Sequence, residues 1–275
     1  MKQLIKYFCL ASMILFLMSS CEKDDPEVND FNDNDFIKSE VSNDNIISNY
    51  KYNAIGKIAE TEGIYFYNKY LYDNDGKLTS RETAIDPSVL SSSLPTEKTE
   101  LMTGENSSIS SRQIFKYDEN GRLLEIENYF KTEEDKFELR SKQSFEFIDG
   151  KIVTRNIHNE NGEITQFNVY EYDENWNVKN EKYYSYLSTE STQPKLISEK
   201  SFKFDNKKNP FKILNELGSP GLFTNSNNII ETNLIRHEEV PGFEKYSTST
   251  TSYEYNQNDY PIKVLTENSE YEYRY

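Results

Sequence analysis

The chain holds only two histidines, His158 and His237, and two cysteines, Cys9 and Cys21, in 275 residues, so imidazole and thiol chemistry have few possible seats. No serine lies in a Gly-x-Ser-x-Gly elbow, which leaves a nucleophilic triad without support. His158 sits in a strand-like run and His237 in Leu234-Ile235-Arg236-His237-Glu238-Glu239, positions suited to ordinary sheet or surface histidines. A conventional zinc site would need more ligands than these, so no metal and no cofactor is expected. Asp30, Asp33 and Asp35 cluster as calcium ligands would, but no glycine turn or closing glutamate follows at helix-loop-helix spacing.

Carboxylates are plentiful, and a glycosidase needs two of them about 5 to 10 Å apart. Most, however, fall at turns (Asp73, Asp75, Asp118, Asp173, Asp205) or alternate with aromatic rings (Glu146, Glu171, Glu254, Glu272). Acids at turns bond their own backbone and alternating glutamates solvate a wet face, so no catalytic pair is assigned. The single tryptophan, Trp176, falls at a predicted turn tip between Asp173 and Asn177. A ring exposed there can stack on a sugar or hold an apolar ligand, which makes Trp176 the candidate ligand-binding residue.

The elements that carry these residues follow from composition and period. Only four alanines occur, while aromatics make up 14% of the chain, so strand and turn formers dominate over helix formers. From residue 50 a pattern of aromatic, any residue, aromatic recurs at Tyr50/Tyr52, Tyr70/Tyr72, Phe115/Tyr117, Phe145/Phe147, Tyr170/Tyr172, Phe202/Phe204, Tyr253/Tyr255 and Tyr271/Tyr273. In all but the pair around Leu71 the middle residue is lysine or glutamate. Period-two alternation places rings on one face and charges on the other, the signature of an antiparallel sheet with one dry side. Asp75-Gly76, Asn120-Gly121, Asp149-Gly150 and Asn161-Gly162 read as tight hairpin turns, because these residues tolerate positive φ. They predict strands near 151 to 158, 163 to 172 and 178 to 187. A short helix is expected within 209 to 218, with Asn209 as cap, Pro210 in the first turn and Phe211, Leu214 and Leu217 covering an open side of the sheet.

The net charge of −16 excludes a nucleic-acid partner on electrostatic grounds. Lys2 and Lys6 precede an apolar stretch from Tyr7 to Met18 and then Ser19-Ser20-Cys21, which reads as a secretory signal over 1–20, too short for a permanent span. Residues 22 to 35 hold ten Asp, Glu or Asn, so 21–45 is expected to be a lipidated cysteine followed by an acidic tether, and 46–275 a single β domain.

Two resemblances sharpen this. The end of the signal resembles a bacterial lipobox, with Met18 and Ser20 in place of the usual residues, and Ser-Ser-Cys runs of this kind look like Bacteroidetes lipoproteins. The resemblance implies lipid attachment at Cys21, and Glu22-Lys23-Asp24-Asp25 is similar to the acidic tag that exports some of them to the cell surface. The units Tyr70-Leu71-Tyr72-Asp73-Asn74-Asp75-Gly76-Lys77-Leu78 and Phe115-Lys116-Tyr117-Asp118-Glu119-Asn120-Gly121-Arg122-Leu123 resemble the YD repeats of RHS-type proteins. More closely, residues 50 to 275 are similar to uncharacterised Bacteroidetes lipoproteins with degenerate YD units, a porin-like family of unknown function. In this chain Trp176 replaces the glycine of one unit. The resemblance implies a rolled antiparallel sheet and supplies no catalytic residues.

The expectation is therefore an all-β chain: an antiparallel meander of YD-like hairpins curled into an open or partly closed barrel, with one short helix and the aromatic stripe inside. Its expected role is a non-enzymatic binding or structural one at the outer membrane. It would be held by the lipid on Cys21, handled by the lipoprotein sorting machinery, and exposed to a polysaccharide or an envelope protein. The alternatives are a carbohydrate-active enzyme with a carboxylate pair and an outer-membrane pore.

Overall fold

The computed structural model describes residues 36–90, 100–186, 192–212, 220–238 and 243–275. Among these, alternation and turn chemistry produce sixteen strands. The first eight are β1 (Ser39–Ser42), β2 (Asn45–Tyr52), β3 (Ile58–Gly63), β4 (Phe66–Tyr72), β5 (Leu78–Ile85), β6 (Ser111–Tyr117), β7 (Leu123–Lys131) and β8 (Phe137–Ile148). The rest are β9 (Lys151–Asn159), β10 (Ile164–Tyr172), β11 (Val178–Ser185), β12 (Lys195–Phe204), β13 (Ile229–Arg236), β14 (Tyr246–Tyr255), β15 (Pro261–Thr266) and β16 (Glu270–Arg274). Each pairs antiparallel with its neighbours in the chain, and β1 pairs with β16 through Ser39↔Arg274, Glu40↔Tyr273 and Val41↔Glu272. The meander therefore closes completely, beyond the open or partly closed sheet expected, and closure removes both sheet edges. β1 lies within the stretch that composition assigned to the tether.

The turns depart from expectation in one instructive way. Asp149-Gly150 is a two-residue turn with both residues at positive φ (51° and 77°). The turns containing Asp75-Gly76, Asn120-Gly121 and Asn161-Gly162 instead use three-residue loops, in which only the glycine is left-handed. In 73–77, Gly76 N–H donates to the Asp73 carbonyl and Asp73 N–H to the Lys77 carbonyl, while Asp73 Oδ1 accepts the amides of Asp75 and Lys77. The aspartate that opens the loop thus does the work that the sequence reading placed on the dipeptide before the strand. The same arrangement recurs with Asn53, Asp118, Asn159, Asp173 and Asn256.

The expected helix over 209–218 is corrected. Its described part is a single 3-10 turn at 210–212, and residues 213–219 lie outside the described residues, as does any role for Leu214 and Leu217. Asn209 caps this short turn, its Oδ1 accepting Phe211 N–H, and its Nδ2 also donates to the Leu222 and Asn225 carbonyls. That clamp folds the β12–β13 connection back on itself. The other 3-10 turn, Pro87–Leu90, follows β5, and no α-helix occurs among the described residues.

The ring-bearing face is the inner one. Phe211 packs against Tyr50 of β2 (6.2 Å between ring centroids) and Tyr273 of β16 (5.5 Å), although its loop leaves the sheet from β12. The neighbouring Lys212 lines a cleft with residues of β8 to β10, on the opposite wall. A loop that meets both walls lies across the lumen, so Phe211, only 7% exposed, and Phe223 plug this end of the barrel. Around them pack Ile37, Ile58, Tyr70, Leu78, Phe115, Leu123, Ile126 and Phe145. Two residues further from the plug the inner wall turns polar: Asn68 bridges Thr61 and Thr83, Asn128 bridges Gln113 and Ser141, and Asn168 bridges Arg155 and Glu181. Each amide there satisfies neighbours that would otherwise be costly to cover.

The outer wall is laced with cross-strand ion pairs. Lys51 meets Glu62 at 2.6 Å, Arg112 meets Glu82 at 2.7 Å, Lys116 meets Glu127 at 2.6 Å and Lys203 meets Glu231 at 2.9 Å.

Candidate functional site

At the plugged end, a cleft of about 300 Å³ opens between the plug and the wall formed by β8 to β11. Its wall comes from the two turns flanking β9 and β10. The Asp149-Gly150 turn presents Lys151, and the 173–177 turn presents Trp176. Phe147, Ile152 and Tyr172 form its floor and sides, and Lys212, Pro220 and Thr224 close it from the plug.

Trp176 occupies the position taken by Gly56, Gly76, Gly121 and Gly162 in the sister turns, and it adopts their left-handed conformation, φ 69°. For an L residue that conformation costs about 1–2 kcal/mol, and a bulky side chain there is a true outlier. The turn that holds it is pinned from both sides. Asn177, wholly buried, donates to Asp173 Oδ2 and to Asn227 Oδ1 at 3.0 Å each, and accepts from Asn227 N–H; Asn225 Oδ1 accepts from Val178 N–H. The indole itself is 52% exposed, with Lys151 Nζ 4.2 Å from its ring centroid and 5.3 Å from that of Tyr172. A cation over two rings at this range orders the lysine stem along the cleft. Burial pushes the Tyr172 hydroxyl up to about 12, so it stays a hydrogen-bond donor at physiological pH.

Trp176 is thus where the sequence placed it, at an exposed turn tip. The residues that hold and flank it were not singled out: Lys151, Lys212, Asn177, Asn225 and Asn227. The Asn225-Ser226-Asn227-Asn228 run is the one sequence signal that could have drawn attention to the pin. Cys21 and the tag Glu22, Lys23, Asp24 and Asp25 lie outside the described residues, as do Asp30, Asp33 and Asp35.

The histidines have structural partners. His158 Nε2 pairs with Ser144 Oγ at 2.8 Å and its Nδ1 with the Gly162 carbonyl, and His237 Nε2 pairs with Glu199 Oε1 at 2.8 Å. Asp73, Asp118 and Asp173 accept amides of their own loops. Asp205 accepts amides from Lys207 and Asn228 together with the Tyr255 hydroxyl. Inside the barrel, burial raises the Glu40 carboxyl, partly offset by a hydrogen bond from Tyr50. No group of three or more metal-ligating side chains occurs among the described residues. Two larger cavities lie elsewhere. One of about 690 Å³ is formed by loops at the opposite end, and one of about 550 Å³ sits on the outer wall, where Lys51, Glu60, Glu62 and Glu82 are already ion-paired.

No family model and no curated protein matches the chain. Among solved structures it is similar to a porin-like protein from Bacteroides vulgatus ATCC 8482, at 10% identity and TM-score 0.39 over 87% of this chain and 98% of that one. It is also similar to a porin-like protein from Bacteroides uniformis ATCC 8492, at 12% identity and TM-score 0.37 over 78% and 92%. A third similarity is to the Tc holotoxin pore of Photorhabdus luminescens, at 12% identity and TM-score 0.30 over 80% of this chain and 10% of that one. These likenesses concern the fold.

Proposed function

We propose that the chain is an exported lipoprotein, anchored through Cys21 at the outer membrane and facing outward, whose plugged barrel is a rigid scaffold for a non-enzymatic saccharide-binding cleft at Trp176. The observation that carries the reading is Trp176 itself. The barrel keeps an indole at a left-handed position where glycine would be unstrained, and leaves half of it open beside a cleft. Strain held in place by a buried asparagine pin points to use of the side chain. An exposed indole face suits the apolar face of a sugar ring.

The rival readings draw less support. A pore needs an apolar outer belt, and charges on a lipid-facing wall cost about 2–4 kcal/mol each at mid-bilayer; this wall carries Lys116 and Lys142, both paired with Glu127, and Phe211 fills the lumen at one end. A glycosidase needs two carboxylates facing one cleft, and among the described residues none lines the Trp176 cleft.

The test uses Trp176→Gly, which keeps the turn conformation and removes only the ring. In polysaccharide pull-downs with the purified protein, saturable binding without product release, lost in Trp176→Gly, is expected. Binding unchanged by that substitution would refute the site, and turnover would revive the enzyme. Cys21→Ala should move the protein to the soluble fraction, and continued membrane retention would contradict the anchor.

A further inference from the structure

We infer that the Trp176 cleft selects anionic saccharides, carrying carboxylate or sulfate groups, over neutral ones; this rests on the saccharide-binding reading and specifies its ligand class. In a chain with 47 acids and 31 bases, the described residues that line the cleft include two lysines and no aspartate or glutamate. Lys151 has no carboxylate within ion-pair distance among the described residues, and its ammonium lies over the Trp176 and Tyr172 rings. Lys212, on the plug side, donates to the Ser226 hydroxyl at 2.9 Å and likewise has no acidic partner.

The contrast with the outer wall is chemical. There, lysines such as Lys51, Lys116 and Lys203 are each matched to glutamates across a strand. In the cleft neither ammonium group is matched to a carboxylate among the described residues, which leaves both to meet an incoming anion. They line the same cleft as the rings of Trp176, Tyr172 and Phe147. A sugar ring stacked on the indole would carry its acidic substituent toward one lysine or the other, so stacking supplies affinity and the ammonium groups supply discrimination. The acidic remainder of the molecule repels polyanions in general, which confines their attachment to this place.

Trp176 is the only tryptophan, so emission excited on the red edge of the absorbance, where the 21 tyrosines contribute little, reports this cleft. The experiment titrates the purified protein with oligogalacturonate, with its methyl ester, which has the same rings without the charge, and with a chondroitin sulfate oligosaccharide. Lys151→Gln, Lys212→Gln and Trp176→Gly are run in parallel, with circular dichroism to verify folding and calorimetry for the variant that lacks the fluorophore. The acidic oligomers should quench or shift the emission saturably and the ester should bind at least tenfold more weakly. Each lysine variant should lose about fivefold in affinity for the acidic ligands. Ester and acid bound equally, with no effect of either lysine, would overturn the anionic class while leaving saccharide binding in place. Acidic ligands bound without any change in emission and unaffected by Trp176→Gly would overturn the cleft as their site. Failure of every saccharide, charged or neutral, to bind would overturn both readings together.

Discussion

The Tyr172 hydroxyl donates to the carbonyl oxygen of Ile152 at 2.8 Å, joining the end of β10 to the start of β9. These two strands are linked by a turn only at the opposite end of the barrel. The contact recurs from Tyr52 to Ile37, Tyr72 to Ile58, Tyr117 to Leu78, Tyr253 to Ile229 and Tyr275 to Pro261. In each case a tyrosine late in an even-numbered strand, or just after it, reaches a carbonyl at or before the start of the preceding one. The turns at the plugged end join each even strand to the next, and the tyrosines stitch it to the one before. The even strands β8 and β12 carry Phe147 and Phe204 at this end, which have no hydroxyl, so the stitch is interrupted at those two places. The repeated tyrosine is therefore more than a large ring for the core: its hydroxyl closes the strand pairs that the turns leave open.

Tyr172→Phe should then cost about 1 kcal/mol, the net value of one intramolecular hydrogen bond, with the carbonyl of Ile152 left unmatched. Tyr271→Phe, at a hydroxyl outside this set of contacts, is the control and should change stability by less than half that amount, about 0.5 kcal/mol or below. Urea unfolding midpoints of the two variants compare them directly; equal losses would deny the stitch.

Alkali should unfold the barrel cooperatively. Burial raises Tyr172 to about 12, and raises Tyr52, Tyr170, Tyr253, Tyr273 and Tyr275 further, against an ordinary value of 10.0. Because the folded values lie above the unfolded one, the stabilisation is complete below pH 10 and is lost as pH rises through 12 and beyond. Tyrosinate absorbance at 295 nm should show an exposed fraction titrating near 10 and a second fraction appearing only with loss of the β signal. A single smooth titration near 10 would contradict the buried hydroxyls.

The acid side has a different sentinel. Burial works to raise Glu127, but hydrogen bonds from Lys116, Lys142 and Tyr129 outweigh it and hold the carboxyl down at about 2, against 4.5. A depressed value means stability that is present above 4.5 and disappears as pH falls toward 2. Glu127→Gln should therefore destabilise at neutral pH, with the gap to the parent protein closing as pH falls from 5 to 2. A gap that stays constant with pH would rule out the charge as its source.

Phe211→Ala should cost about 3 kcal/mol or more, because the ring is buried among Tyr50, Phe223 and Tyr273 and leaves a cavity at the centre of the plug. Chemical denaturation followed by far-ultraviolet circular dichroism would measure it. A loss below 1 kcal/mol would mean that the plug collapses around the gap or contributes little.

Much of this molecule was legible from local pattern. Alternation of rings with lysine and glutamate is a property of neighbouring residues, so the dry and wet faces and strands such as β9, β10 and β11 could be read directly. The turn positions followed equally, since left-handed backbone favours glycine wherever it falls. Trp176 stood out because it occupied that slot. What the pattern could not convey were relationships between residues far apart in the chain. Closure depends on Ser39 meeting Arg274, a pairing that sheet twist and strand number decide together. The aromatic stripe was expected inside, but that a loop after β12 would reach Tyr50 and Tyr273 across the lumen and plug it was not legible. The same tertiary event made the cap Asn209 a clamp as well, brought Asn225 and Asn227 to Val178 and Asn177, and set Lys212 in one cleft with Lys151. The sequence by itself determined which faces and turns this protein has, because those preferences act over a few residues. The tertiary structure alone decided what the faces enclose, because closing a sheet and filling its end are choices made by the whole chain at once.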